Sequence, residues 1–162
     1  MIRLIMLTVA LLSGVLTMAQ DRLPDATLKT STGQEVNAKT LSNDGKPFVV
    51  VIWATWDSPS KRLLNTIHEE YEDWVDGTGV KLIAVSIDDA RNMARVKPYV
   101  VSKGWQYEYY LNPEKDFMTK MNANHPPHVA VFDGEGKLMW KQTGYEQGDE
   151  EKILEAIKKC IP

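Results

Sequence analysis

Two stretches of the chain are mostly hydrophobic and do not alternate with polar residues, FVVVIWA at 48–54 and VKLIAVSI at 80–87, the second with Lys81 and Ser86 near its ends. Strands that are buried on both faces of a sheet have this pattern, because neither side of the strand meets water. A third apolar run, HVAVF at 128–132, is followed by the turn 133–136 and then by KLMWKQ, which predicts an antiparallel hairpin. Near the start of the chain, TLKTSTGQEVNA predicts a shorter hairpin that turns at Gly33.

Apolar residues at helical spacing predict helices between these strands. Segment 61–75 carries its large apolar residues on one face, as a helix packed on a sheet does. Two adjacent aspartates, Asp88 and Asp89, predict the N-terminus of a second helix that runs to about Lys103, because aspartate is a preferred cap. The other predicted elements are a strand at 105–111, a short helix at 112–121 and a final helix at 149–160.

The order of these elements predicts the fold class. A hairpin followed by β-α-β-α-β-α-β-β-α implies an α/β fold, with a central mixed sheet, helices on both of its faces and an added N-terminal β-hairpin. Ligands of such sheets usually bind where the strands end and the helices begin. The segment WATWDSPSK, at 53–61, is a junction of this kind and is the candidate site.

Length, charge and cysteine content narrow the function. The chain has 162 residues, which suits one domain at 22–162, and its formal net charge of −3 argues against a nucleic-acid partner. The only cysteine, Cys160, cannot close an internal disulfide. Residues 1–19 resemble an export signal, with Arg3 before an apolar run that is short for a membrane span of about twenty residues. We therefore expect a periplasmic or otherwise exported protein with no stable membrane insertion after signal removal.

Several motifs together resemble a known family. The candidate junction reads WDSPSK, and IAVSIDD, LNPE and PHVAVFDGEGKLMWKQTGY follow it in the chain. Over roughly residues 22–160 the sequence is similar to the TlpA/ResA-type exported thiol–disulfide oxidoreductases, which have a thioredoxin-like fold and read WCxxCK at this junction. The resemblance places Asp57 and Ser60 where the two family cysteines stand, and Ser58-Pro59 between them. It also implies a cis proline at Pro127, opposite this turn.

The junction lacks the groups that the family reaction needs. Thiol–disulfide exchange requires an attacking thiolate and a second thiol that resolves the mixed disulfide, and neither Asp57 nor Ser60 supplies one. Val51 likewise stands where the fold often holds a polar residue that assists proton transfer. Asp57 is instead expected to cap the following helix, and Pro59 suits its first turn. We therefore expect a redox-inactive binding module without a cofactor.

The resemblance also indicates the surface that such a module would use. We expect an extended polypeptide or protein client to lie between the DSPS turn and the proline loop. Backbone groups before a cis proline can pair with an added strand, and the family counterpart of Trp56 lies at the binding surface. The predicted groove residues are Trp56, Ser58, Pro59, Pro126, Pro127 and His128.

Three other chemistries remain open from the sequence. Asp57, His125 and His128 are residue types that could bind a divalent metal ion. Ser58 or Ser60 could act as a nucleophile, with His128 as base and Asp57 orienting it. Cys160 could serve a redoxin-type reaction with an external thiol, although its helical phase directs it toward the core and a helix C-terminus disfavours a thiolate.

Overall fold

The computed structural model describes residues 21–162, so the export signal expected at 1–19 lies outside the described residues. The described chain forms one mixed β-sheet with four α-helices. The strands are β1 (Thr27–Lys29), β2 (Glu35–Asn37), β3 (Phe48–Trp53), β4 (Lys81–Ser86), β5 (Glu108–Leu111), β6 (His128–Phe132) and β7 (Leu138–Thr143). The helices are α1 (Ser58–Thr78), α2 (Val96–Lys103), α3 (Asp116–Lys120) and α4 (Asp149–Lys158).

The sheet has the order β2-β1-β5-β4-β3-β6-β7, in which β3, β4 and β5 run parallel and the other pairs are antiparallel. Alternate residues of the central strand β3 enter different cores. Val49 and Val51 pack in the cluster that contains α1, α2 and α4, whereas Val50 and Ile52 pack with α3 and β1. The α/β class, the mixed sheet and the helices on both faces are therefore confirmed.

The segment after β4 differs from the prediction. Asp88 does not cap a helix, because its side chain turns inward, is fully buried and accepts hydrogen bonds from neighbouring loop and strand residues. Asp89 instead accepts hydrogen bonds from the backbone N–H groups of Arg91 and Asn92. The α-helix begins only at Val96, after a 3-10 turn.

Helix α1 is longer than predicted and α3 is shorter. Helix α1 starts at Ser58 and ends at Thr78, and Gly79 caps it with a φ of 68°, the left-handed conformation that glycine adopts without strain. Helix α3 starts at Asp116 rather than at 112, because Lys115 before it is left-handed with a φ of 60°. Within residues 21–162, no helix has the length and apolar character needed to cross a lipid bilayer.

Candidate functional site

The join between β3 and α1 is built around the N-cap of the helix. Asp57 adopts an extended backbone, and its Oδ2 accepts the backbone N–H of Ser60 at 2.9 Å. The same oxygen accepts the Ser60 hydroxyl at 2.5 Å. Pro59 occupies the first turn, where its missing N–H leaves no gap in the helical hydrogen bonds. The expected capping role of Asp57 is therefore confirmed.

The hydroxyl of Ser60 is sealed beneath this cap. Ser60 has no exposed surface, whereas Ser58 beside it is exposed. No described contact joins either serine to His128, whose Nδ1 faces Thr143 Oγ1 at 2.7 Å. The structure therefore does not form the serine–histidine arrangement considered from the sequence, because Asp57 holds the serine and a threonine holds the histidine.

The loop that precedes the cap is fixed by the buried carboxylate of Asp88, a residue that the sequence pattern predicted at a helix N-terminus. Asp88 accepts the backbone N–H of Thr55 at 2.9 Å, the Thr55 hydroxyl at 2.5 Å and the Ser86 hydroxyl at 2.7 Å. These bonds tie the residue before Trp56 to the end of β4. The Ser-x-Asp spacing at 86–88, directly after a buried strand, is the signal that could have indicated this role.

A groove separates the start of α1 from the loop before β6. The Pro126–Pro127 peptide bond is cis, as the resemblance implied. Asp57 and Pro59 line one wall of the groove, which has a volume of about 590 Å³, and the two prolines line the opposite wall. The other lining residues are His125, Gln142, Thr143, Gly144, Tyr145, Glu146, Asp149 and Lys152. The structure thus brings the cap and the proline loop together.

Three predicted groove residues lie outside this lining. Trp56 is 56 % exposed on the surface next to Asp57, and Ser58 is exposed on the first turn. His128 is only 2 % exposed, because it pairs in the sheet with Ile52 on one side and Thr143 on the other. The assignment of His128 to the groove surface was wrong, and His125 takes that position.

The backbone before the cis proline offers less pairing than expected. Pro126 has no N–H, and its carbonyl oxygen accepts a hydrogen bond from His125 Nδ1 at 3.1 Å. The carbonyl of Pro127 accepts the N–H of Gly144 at 2.8 Å. A strand added at this loop would therefore meet no backbone donor from either proline.

The buried imidazole of His128 is held in its neutral form. Burial, together with the nearby charges of Lys141 and His125, lowers the pKa of His128 to about 4. Its Nε2 is buried and has no hydrogen-bond partner among the described residues. Within residues 21–162 no three His, Cys, Asp or Glu side chains converge as a metal site requires, so Asp57, His125 and His128 do not form the metal site considered above.

The groove lining also carries an ion pair in which the carboxylate of Asp149 is buried and the side chain of Lys152 is 66 % exposed. Asp149, whose side chain is only 8 % exposed, accepts Lys152 Nζ at 2.7 Å, Gln142 Nε2 at 2.6 Å and the backbone N–H of Glu146 at 2.8 Å. Burial raises the pKa of the Asp149 carboxyl, but these hydrogen bonds outweigh it and leave the pKa below its usual value. The sequence placed Asp149 at the start of the last helix, but its contact with Gln142 of strand β7 emerges only from the tertiary fold.

The single thiol lies away from the groove. Cys160 is half-buried beyond the end of α4, where its Sγ donates to the carbonyl of Ala156 at 3.3 Å. Burial, with the charge of Asp133 adding to it, raises the pKa of the Cys160 thiol. The thiolate form that redox chemistry needs is therefore disfavoured at neutral pH.

Comparisons with known proteins give the family. The AhpC/TSA family model matches residues 19–141. An uncharacterized thioredoxin-like protein from Porphyromonas gingivalis is 40% identical, with a TM-score of 0.78 over 86% of this chain and 91% of that one. No curated protein matches the sequence.

Two further solved structures are more distant. A thio-disulfide isomerase from Thermus thermophilus is 25% identical, with a TM-score of 0.66 over 86% of this chain and 94% of that one. StoA from Bacillus subtilis is 18% identical, with a TM-score of 0.62 over 82% and 98% of the two chains, and it supports the fold alone. These matches confirm the thioredoxin-like fold and the TlpA/ResA-type resemblance. The chain belongs to the AhpC/TSA family.

Proposed function

We propose that this protein is an exported, redox-inactive member of its family that binds an extended segment of a partner polypeptide in the groove beside α1. The observation that carries the proposal is the hydrogen bond between Ser60 Oγ and Asp57 Oδ2, at 2.5 Å. A carboxylate and a hydroxyl are paired where the family reaction needs two sulfurs, while the groove around them is kept.

The chemistry of the chain argues against electron exchange. A thiolate must attack a disulfide and a second thiol must then resolve the product, but the chain has one cysteine. That cysteine is half-buried, has a raised pKa and does not line the groove. A mixed disulfide formed on Cys160 would find no internal partner.

The surface around the groove has the character of a binding site. Trp56 leaves 56 % of its surface in solvent directly beside the capped turn, and exposed tryptophan is enriched where proteins bind each other. The turn itself is held in place by the Asp88 hydrogen bonds to Thr55. A tryptophan carried on a turn whose backbone is held in place loses less conformational entropy on binding than one on a mobile loop.

Export is part of the proposal and is supported by the pattern of residues 1–19, a positive residue followed by an apolar run. Fractionation of cells that produce the full chain tests it. We expect the protein outside the cytoplasm, and retention of the full chain in the cytoplasm would contradict export.

The redox part is tested by insulin reduction with dithiothreitol as electron donor. We expect the natural chain to match the protein-free reaction and Asp57→Cys/Ser60→Cys to exceed it, because the two side chains already touch. Activity of the natural chain above that baseline would refute the proposal.

The binding part is tested with a library of fluorescent extended peptides and purified protein. Trp56→Ala should weaken the binding of every peptide that the natural chain binds. Val101→Ala, which truncates an exposed apolar side chain elsewhere, on α2, should leave binding unchanged. Equal loss in both variants, or no peptide bound by the natural chain, would contradict a groove with Trp56 at its edge.

A further inference from the structure

We infer that the groove continues along the edge strand β7 and selects extended peptides that carry a basic residue and an apolar residue two positions apart. This inference rests on the proposed function and adds the class of peptide. It is carried by the charge of the first groove, by a second depression continuous with it, and by the spacing of the β7 residues that line the two.

The first groove has an excess of negative charge. Its lining holds three carboxylates, Asp57, Glu146 and Asp149, against one ammonium group, Lys152, and the imidazole of His125. Asp149 and Lys152 neutralise each other at 2.7 Å. The carboxylates of Asp57 and Glu146 are therefore left to act on a ligand, and they favour a lysine or arginine side chain.

Asp57 keeps an acceptor for such a ligand. Its Oδ2 is occupied by the backbone and hydroxyl of Ser60, whereas no described residue donates a hydrogen bond to its Oδ1. A carboxylate oxygen that is half-exposed on a groove wall can accept a hydrogen bond from an incoming cation without losing its role as helix cap.

The second depression begins where the first ends. Lys152 lines both, and the second, of about 480 Å³, lies between β7 and α4. Its floor is apolar, with Met139, Trp140 and Ala156, and Met139 is 45 % exposed. The rim carries two acids and two lysines, Glu151, Glu155, Lys152 and Lys159, so its charges balance. An apolar side chain fits this depression better than a charged one.

Strand β7 sets the distance between the two sites. Gln142, which bonds to Asp149 of α4, lines the first groove, and Trp140, which packs against the core that includes α4, lines the second. Side chains on one face of an extended chain recur at every second residue, about 7 Å apart, so a peptide beside β7 would place its basic and apolar residues at positions i and i+2.

The outer edge of β7 is open along part of its length in the described sheet. The strand is the last in the sheet order and its only partner strand there is β6, but the backbone N–H of Leu138 at its start already donates to the carbonyl of Asp21 at 2.6 Å. A register shift between Val131 and Phe132, together with Lys141 on the strand, limits continuous pairing with another strand. Specificity therefore comes from the two side-chain sites, with backbone pairing to β7 contributing along part of the length.

Synthetic fluorescein-labelled octapeptides test this inference by fluorescence anisotropy. The probe contains Lys-Ala-Leu in a Gly/Ser host, and a second probe has the reversed order, because the direction of the peptide is not assumed. We expect the better probe to bind about fivefold tighter than its Glu-for-Lys version and about tenfold tighter than its Gln-for-Leu version.

Matched variants assign the two preferences to the two sites. Asp57→Asn keeps a helix cap but should remove most of the preference for lysine over glutamate, while Glu114→Gln, an exposed acid outside both linings, should not. Met139→Ser should reduce the preference for leucine, while Val101→Ser should not.

The outcomes separate the two proposals. Equal binding of the lysine and glutamate probes, or of the leucine and glutamine probes, would overturn the inference. If the probes bound equally well but Trp56→Ala still weakened their binding, the proposed function would stand and only the inferred sequence preference would fail. Binding of none of the probes, in a protein that does bind other library peptides through Trp56, would overturn only the inference. Failure of every peptide would overturn both.

Discussion

Replacing Asp57 by alanine tests the view that the α1 start is a cap rather than a reactive centre. The substitution removes one oxygen that accepts two hydrogen bonds, from the backbone N–H and the hydroxyl of Ser60. Loss of an N-cap costs about 1 kcal/mol. The Ser60 hydroxyl has no exposed surface, so leaving it unpaired costs a further 1–3 kcal/mol, roughly.

We therefore expect Asp57→Ala to lower the free energy of unfolding by about 2–4 kcal/mol. Asp57→Asn keeps the cap and an acceptor for Ser60, so it should cost about 1 kcal/mol or less, mainly through the lost attraction between a carboxylate and the helix N-terminus. Ser60→Ala removes the buried hydroxyl together with its need for a partner and should cost about 1 kcal/mol.

The double variant distinguishes pairing from coincidence. In Asp57→Ala/Ser60→Ala no hydroxyl is left without a partner, so the loss should be smaller than the sum of the single losses by about 1–2 kcal/mol. Urea unfolding followed by tryptophan fluorescence measures each term as a shift of the midpoint at constant slope. Ser58→Ala, an exposed change one residue away, is the control. Additive losses, or a loss in Asp57→Ala no larger than in Ser58→Ala, would refute the reasoning.

Three other perturbations have expected outcomes. Between about pH 6.5 and pH 4, His128 binds a proton in the unfolded state but not in the folded state. The free energy of unfolding should therefore fall by up to about 3 kcal/mol as the pH is lowered through this range, and the urea midpoint of His128→Asn should fall less than that of the natural chain. Asp88→Ala leaves two hydroxyls and one N–H unpaired, so it should cost more than about 3 kcal/mol in urea unfolding and should raise the mobility of Trp56 seen by fluorescence anisotropy decay. Cys160 should react with iodoacetamide more slowly in the native protein than in urea, because burial raises its pKa.

Each of these has an outcome that contradicts it. Parallel pH profiles for the natural chain and His128→Asn would show that this imidazole does not titrate differently on folding. A loss for Asp88→Ala no larger than for the exposed change Asp73→Ala would remove its role in the turn. Equal alkylation rates for native and unfolded protein would make the thiol accessible and reopen a role for Cys160.

The fold could be predicted from the sequence because its strongest signals are local. The unbroken apolar run at 48–54 indicated a strand buried on both faces, and the structure places its alternate residues in two cores. Asp57 and Pro59 indicated a capped helix start on their own chemistry. The prediction that Asp88 caps a helix was wrong, because its side chain turns inward to accept hydrogen bonds from the hydroxyls of Thr55 and Ser86.

The full outline of the groove could not be predicted in the same way. Asp149 and Lys152 reach it from the last helix, and Gln142 from the edge strand, so their proximity depends on long-range packing. His128 was placed on the surface because its neighbours are two prolines, but strand pairing on both sides buries it. Sequence spacing locates a loop well, yet it does not tell which of its side chains point outward.

The pairing of Asp57 with Ser60 has a kinetic consequence for any occupant of the groove. A pair of cysteines at these positions would hold a disulfide substrate through a mixed disulfide and release it when the second thiol resolves that bond. A carboxylate bonded to a hydroxyl forms no such link, so an occupant would arrive and leave by diffusion alone. Its residence time would follow from its affinity and its abundance, and would not change with the oxidising power of the surroundings.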